Sequence, residues 1–304
     1  MSRFMSILSL FLVLMSSCST MSLGNNDKET NQDKGEAEQD PVSTSEYDVY
    51  LIIGQSNAAG RGELISGDEL PIEGVKMIWS LPYGSCRAVD ACQPLNRYST
   101  VRKAEKNQKF NFGGPFAAKI YRQTGKKVLL IVNARASSSL DNWLPSSPQL
   151  TFSQETGDDQ SKWGQPVPQL YGEAVRIVKQ VLSQKDIKGE LKAVLWHQGC
   201  SDSSEAKSQQ YCTRLKTVVD GLRNEFNNPN LPFVVGQLLT KYKNAQYFNP
   251  EIAKIGEVIE NAYCVSSEGC TSVGDATHFN RNSLIVLGER YADVILDVVY
   301  GSLK

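Results

Sequence analysis

The stretch "VYLIIGQSNAAGRG", Val49 to Gly62, changes character after its fifth residue. Val49 to Ile53 is an unbroken apolar run rich in branched side chains, and it stops at Gly54. Such a run bounded by glycine reads as a strand buried on both faces, the signature of a parallel sheet. Ser56 follows at once, between the amides Gln55 and Asn57, and the small residues after it open a helix. A serine at that junction has a free hydroxyl. Its N–H lies at a helix N-terminus, where peptide dipoles favour negative charge. A plain helix-capping serine fits the same stretch.

Outward from this strand, similar runs recur at 47–53, 75–80, 127–133, 191–197 and 233–239. Helical patterns lie between them. In 167–184, Leu170, Ala174, Ile177, Val178 and Val181 share a face; in 207–226, Tyr211, Leu215, Val218, Leu222 and Phe226 do so. A last helix is expected over 283–298, with shorter ones after Pro115 and after Pro250. Strands alternating with helices predict an α/β fold with a mostly parallel five-stranded sheet and helices on both sides. Ligands bind such sheets beyond the carboxyl ends of the strands, so a functional motif should follow a strand.

The chain has 304 residues, a formal net charge of −1 and 40% hydrophobic residues. Lys and Arg are scattered, which argues against a nucleic-acid surface. Residues 1–18, "MSRFMSILSLFLVLMSSC", read as a lipoprotein-type export signal ending at Cys18, the candidate lipidation site; plain secretion is the alternative. Residues 19–46 are polar and lack aromatics, as expected of a flexible tether. The folded domain is expected over 47–304, exported and membrane-anchored through the lipid alone, periplasmic or at the cell surface. In an oxidising compartment the remaining cysteines are expected to pair locally, as Cys86–Cys92, Cys200–Cys212 and Cys264–Cys270. No CxxC pair suggests zinc.

Three further segments carry chemistry. In Asp275-Ala276-Thr277-His278 the carboxylate can fold back onto the imidazole, fix its tautomer and stabilise its protonated form. The chain has only two histidines. The other, His197, has no acid close by in sequence, so His278 is the better base for Ser56. In "NFGGPFAAKI", Gly113 and Gly114 let the backbone approach a ligand, and Pro115 suits a helix start. In "WHQGCSD", Trp196 to Asp202, Gln198 has a side-chain N–H to offer. With the N–H groups of Ser56 and Gly113 it would complete an oxyanion hole. Gln55, Asn57, Arg135, Trp143 and Trp163 are candidates for sugar contacts, with ordinary packing the alternative for the tryptophans. Arg61 would suit an acidic substrate group or a structural role.

Together the four segments resemble the SGNH hydrolases, in the branch of sialate O-acetylesterases and family-six carbohydrate esterases. Gly54 to Asn57 matches the opening block, Gly113 to Pro115 the glycine block, Trp196 to Gly199 the third, and Asp275 to Asn280 the last. The resemblance implies a three-layer flavodoxin-like fold, a serine nucleophile, and no metal or cofactor. Two departures stand out. Cys200 occupies a position where the branch usually has a glutamate, proposed as a catalytic acid in some members. Ala136 and Ser137 replace a "GGS" or "GGT" in the loop after the third expected strand. The expected function is removal of acetyl esters from sugars, of the sialic acid or xylan type, by Ser56, His278 and Asp275. The alternatives are a catalytically silent sugar-binding lipoprotein, or an esterase acting on peptidoglycan or lipid esters.

Overall fold

The computed structural model describes residues 46–81, 83–149 and 169–301. The expected export signal, Cys18, most of the expected tether and Trp163 lie outside the described residues. In chain order the elements are β1 (Tyr47–Gly54), α1 (Ser56–Ala59), β2 (Val75–Trp79), β3 (Arg87–Asp90), α2 (Gly113–Thr124), β4 (Lys127–Val132) and α3 (Leu170–Leu182). Then come β5 (Gly189–His197), α4 (Glu205–Glu225), β6 (Phe233–Gly236), α5 (Ala245–Ile252), α6 (Ile255–Val258), β7 (Ala262–Val265) and α7 (Arg281–Tyr300).

One sheet holds all the strands, in the order β3-β2-β4-β1-β5-β6-β7. Every neighbouring pair is parallel except β2 with β3. The β2–β3 hairpin extends one edge. The remaining β4-β1-β5-β6-β7 has the doubly wound order 2-1-3-4-5, whose ligand crevice opens at the carboxyl ends of the first and third strands, here β1 and β5.

The sheet has seven strands rather than the five expected. The two additions, β3 and β7, are four-residue strands at the edges. "RAVD" is almost wholly exposed and "AYCV" half-buried, so neither presents the continuous apolar run of a central strand. The helix expected after Pro250 begins earlier, at Ala245, and contains the proline.

Alternation along the strands feeds two cores. Val49, Leu51, Ile53 and Trp196 face α3 and α4, where they meet Ile177, Val178, Leu215 and Val218. Tyr50, Ile52, Leu130 and Leu195 face α2 and α7, against Phe116, Ile120, Leu287 and Tyr291. Each such aliphatic or aromatic side chain stabilises the fold by about 1.5–3 kcal/mol. A bulge keeps β5 in phase. Leu191 pairs with Val49 and Ala193 with Tyr50, so Lys192 is skipped. Its ammonium meets Glu190 at 2.6 Å and Asp48 at 3.8 Å.

The six described cysteines are free thiols, which corrects the expected pairing. Cys86 belongs to the α3–α4 core and Cys92 packs on the α2–α7 core. Cys264 and Cys270 are divided by the sheet in the same way. Partners close in sequence thus point to opposite faces. Cys200 and Cys212 share a core, but the Cys212 thiol is directed to the Glu251 carbonyl of α5, 3.3 Å away.

Candidate functional site

The site is assembled at the carboxyl edge of β1 and β5. Gly54 ends β1 with φ +133°, and a Cβ there would lie 2.3 Å from the His197 carbonyl oxygen. Only glycine lets the chain turn that close to β5. Gln55 N–H then donates to the same oxygen at 2.9 Å, and α1 begins. Gln55, not Ser56, holds the cap position, and its side chain caps nothing. The hydroxyl of Ser56 meets His278 Nε2 at 2.9 Å instead, across 222 residues of sequence.

His278 is presented by a tight loop. Ser272 bridges Phe279, and Val273 N–H donates to the His278 carbonyl at 3.0 Å. Within it, Asp275 Oδ1 accepts from the backbone N–H of Thr277 at 2.9 Å and of His278 at 2.8 Å. Asp275 Oδ2 lies 2.5 Å from His278 Nδ1. Burial pushes the Asp275 carboxyl up, but the backbone N–H and ring of His278 and the Thr277 N–H outweigh it and bring it down to about 2. The carboxylate therefore holds the Nδ1 proton and leaves Nε2 to accept from the Ser56 hydroxyl.

His197 ends β5 in the core beneath this edge, with no exposed surface. Burial lowers its pKa to about 4. Among the described residues its Nε2 has no partner.

Several expected contacts are employed elsewhere. The Gly113 N–H donates to Asn111 Oδ1 at 2.9 Å. Gln198 Nε2 donates to Ser138 O at 3.2 Å and to Asp202 Oδ2 at 2.8 Å, so both amide hydrogens are committed. Neither residue aims a free donor at Ser56, which corrects the expected oxyanion set. Trp143 is fully buried, donates to Ser138 Oγ at 2.9 Å and packs edge-on against Trp196; it is a core residue, not a sugar platform. Arg135 is buried and gives Nη1 to the Val101 carbonyl at 3.0 Å. Gln55 is buried and accepts from Gly199 N–H at 3.3 Å. Asn57 is fully buried and bonds to the backbone on either side of His278. Burial pushes the Cys200 thiol up to about 12, against a weaker pull from Gln55, so it stays protonated.

Asp202 carries more than its sequence position suggests. It has no exposed surface, and its Oδ2 accepts from Leu140 N–H as well as Gln198, each at 2.8 Å. It thereby joins the loops after β4 and β5. An acid four residues beyond Gln198, on a short turn, was the available signal.

Beside His278 opens a cleft of about 680 Å³ whose lining includes Arg61, Glu63, Lys109, Asp275 and Arg281. Arg281 is already paired with Asp68. Arg61 is half-buried and gives Nη1 to the carbonyls of Gly60 at 2.7 Å and Asn107 at 2.8 Å; burial lowers its pKa, and the Asp275 carboxylate opposes that shift through space. Among the described residues no group of three or more His, Cys, Asp or Glu side chains is placed to hold a metal ion, and no helix is long and apolar enough to cross a membrane.

The chain is 28% identical over 128 residues to the probable carbohydrate esterase At4g34215 of Arabidopsis thaliana, a stretch covering 40% of this chain and 46% of that protein. It therefore spans about half the length of that relative. The solved Arabidopsis thaliana AT4G34215 structure superposes with a TM-score of 0.66 at 19% identity, covering 83% of this chain and 98% of that one. NanS superposes with a TM-score of 0.60 at 14% identity, over 86% of this chain and 100% of that one. XAC1771, a carbohydrate acetylesterase from Xanthomonas citri, gives 0.55 at 15% identity, over 84% and 57%. At such identities these likenesses establish the fold. The family model for carbohydrate esterase, sialic acid-specific acetylesterase, matches residues 46–297, and the chain belongs to that family.

Proposed function

We propose that the chain is a carbohydrate O-acetylesterase with Ser56 as nucleophile, His278 as base and Asp275 as the carboxylate that orients it. The observation that carries this reading is the Ser56–His278–Asp275 contact series, 2.9 Å and then 2.5 Å. His278 Nε2 takes the hydroxyl proton as Ser56 Oγ attacks the acetyl carbonyl. It returns that proton to the departing sugar oxygen, leaving an acetyl-serine. Water, deprotonated by the same nitrogen, attacks the acetyl carbon; Nε2 then returns its proton to Ser56 Oγ as that bond breaks and acetate leaves.

The oxyanion needs donors. Ser56 N–H opens α1 and meets no acceptor among the described residues. In place of Gly113 and Gln198, the loop after β4 supplies the rest. Arg135 N–H donates to Gly54 O at 3.0 Å and pins that loop two residues before the nucleophile. Ser137 holds φ +63° there, and the N–H groups of Ala136 and Ser137 meet no acceptor among the described residues. Each such donor contributes about 3–4 kcal/mol in the transition state.

Sialic acid is favoured over a neutral xylan-type sugar, because the Arg61 guanidinium lines the cleft and makes no direct ion pair among the described residues; Asp275 acts on it only through space and is bonded to His278. Export and lipid anchoring at Cys18 are part of the same reading; they would place the enzyme where it meets acetylated glycans. Hydrolysis of 4-nitrophenyl acetate by the wild type and by Ser56→Ala tests the enzyme. Equal rates refute it and leave a silent sugar binder. Acetate release from acetylated sialic acid, xylan and peptidoglycan then ranks the substrates.

A further inference from the structure

We propose that Asn57 is a positioning residue, a two-pronged clamp that sets His278 over Ser56. The proposal rests on the reading of Ser56 and His278 as nucleophile and base.

The loop that carries His278 is tied mostly to itself. Val273 bonds to His278, Asn280 N–H to the Thr271 carbonyl, and Asp275 to Thr277 and His278. Thr271 N–H reaches Ser283 Oγ at the start of α7, still on the same side of the chain. These bonds give the loop its shape but do not fix its distance from α1.

Apart from the Ser56–His278 contact itself, only Asn57 links this loop to α1 by hydrogen bonds among the described residues. Its Nδ2 donates to the Thr277 carbonyl at 3.2 Å, and its Oδ1 accepts from Phe279 N–H at 3.2 Å. The two prongs grip the peptide groups on either side of His278. Asn57 has no exposed surface. Any slip would strand a buried donor and a buried acceptor together, which makes the clamp stiff.

Because Asn57 follows Ser56 on the same helical turn, the grip references the imidazole to the nucleophile's own backbone. Below the grip the Phe279 ring is fully buried and meets the His197 ring edge-on, 5.5 Å between centroids. The loop is thus held down on one side of His278 while its ring projects toward Ser56. An amide is the side chain that fits: one end must donate and the other accept, at the same reach. Aspartate keeps the shape and the acceptor for Phe279 but turns a second oxygen toward the Thr277 carbonyl.

The test is a double-mutant cycle with 4-nitrophenyl acetate. Asn57→Asp should lower kcat about 100-fold, the order expected for a displacement near 1 Å, with KM within about twofold. In a His278→Ala background, assayed with added imidazole, the same substitution should cost less than about twofold, since the group it positions is gone. An Asn57→Asp enzyme with kcat within about threefold of wild type overturns the proposal. So does an equal loss in both backgrounds, which marks a purely structural role. If Asn57→Asp does not fold, amide exchange in the wild type decides. The Phe279 amide should be protected like the core of the sheet, and rapid exchange there overturns the clamp. Ser56→Ala retaining full activity would sink the site reading together with this proposal; Ser56→Ala inactive beside an unimpaired Asn57→Asp sinks the clamp alone.

Discussion

His197 offers a perturbation whose size follows from its surroundings. The ring is fully buried among Phe112, Phe279 and Tyr291. Tyr291 gives its hydroxyl proton to the Trp196 carbonyl at 2.8 Å, so its oxygen accepts from His197 Nδ1 at 3.2 Å. That leaves Nε2 unprotonated and without a partner. A proton placed there has no acceptor and carries a charge into the core. Burial therefore holds the pKa at about 4, against 6.5 for an ordinary imidazole. Between those values the unfolded chain binds the proton and the native state does not. Stability is unaffected above about pH 7, falls as the pH drops through 6.5, and has lost this whole contribution below about pH 4. At ~1.4 kcal/mol per pH unit the loss is about 3 kcal/mol. For a domain of this size that lowers Tm by roughly 6–12 °C. His197→Phe removes the titration and leaves Tyr291 its acceptor. Melts of both proteins from pH 7 to 4.5 should show the gap between them moving steadily in favour of the variant as the pH falls, because the other groups titrate in both. Parallel melting curves would refute the argument. Activity per folded molecule should stay within a few-fold at pH 8, since the proposed base is His278.

Asp275→Asn should lower kcat by about 10³–10⁴ with little change in KM, because an amide facing Nδ1 favours the tautomer whose Nε2 cannot accept the serine proton; steady-state hydrolysis of 4-nitrophenyl acetate reads this, and a loss under tenfold would contradict it. With its carboxyl held at about 2, Asp275 stays charged down to that pH. Its contribution to the native loop is complete above pH 4 and disappears only as the pH falls toward 2. Arg61→Gln should raise KM for an acetylated sialic acid about 10–100-fold and leave 4-nitrophenyl acetate unaffected; equal effects on both substrates would remove the acidic-sugar argument.

The central strands, the major helices and the Asp275–His278 contact were legible because their signals are local. An apolar run such as Val49–Ile53 has the same meaning wherever it folds. Asp275 and His278 meet within one turn, so their spacing alone implied their contact. The edge strands β3 and β7 were not legible, because a strand buried on one side or neither has no continuous run to show. The sugar roles given to Trp143 and Arg135 failed for a related reason. Sequence reveals what a side chain can bind, not whether its hydrogen-bonding groups are already taken.

Sequence by itself settled the α/β class, the end of the first strand at Gly54 and the pairing of a carboxylate with His278. Only the tertiary structure decided which face each cysteine occupies, that Gly113 and Gln198 spend their N–H groups internally, and that Asn57 grips the loop 222 residues away. The physical reason is range. Periodicity and turn chemistry act over a few residues, whereas the supply of donors and acceptors around a buried amide is set by whichever chain segments the sheet brings together.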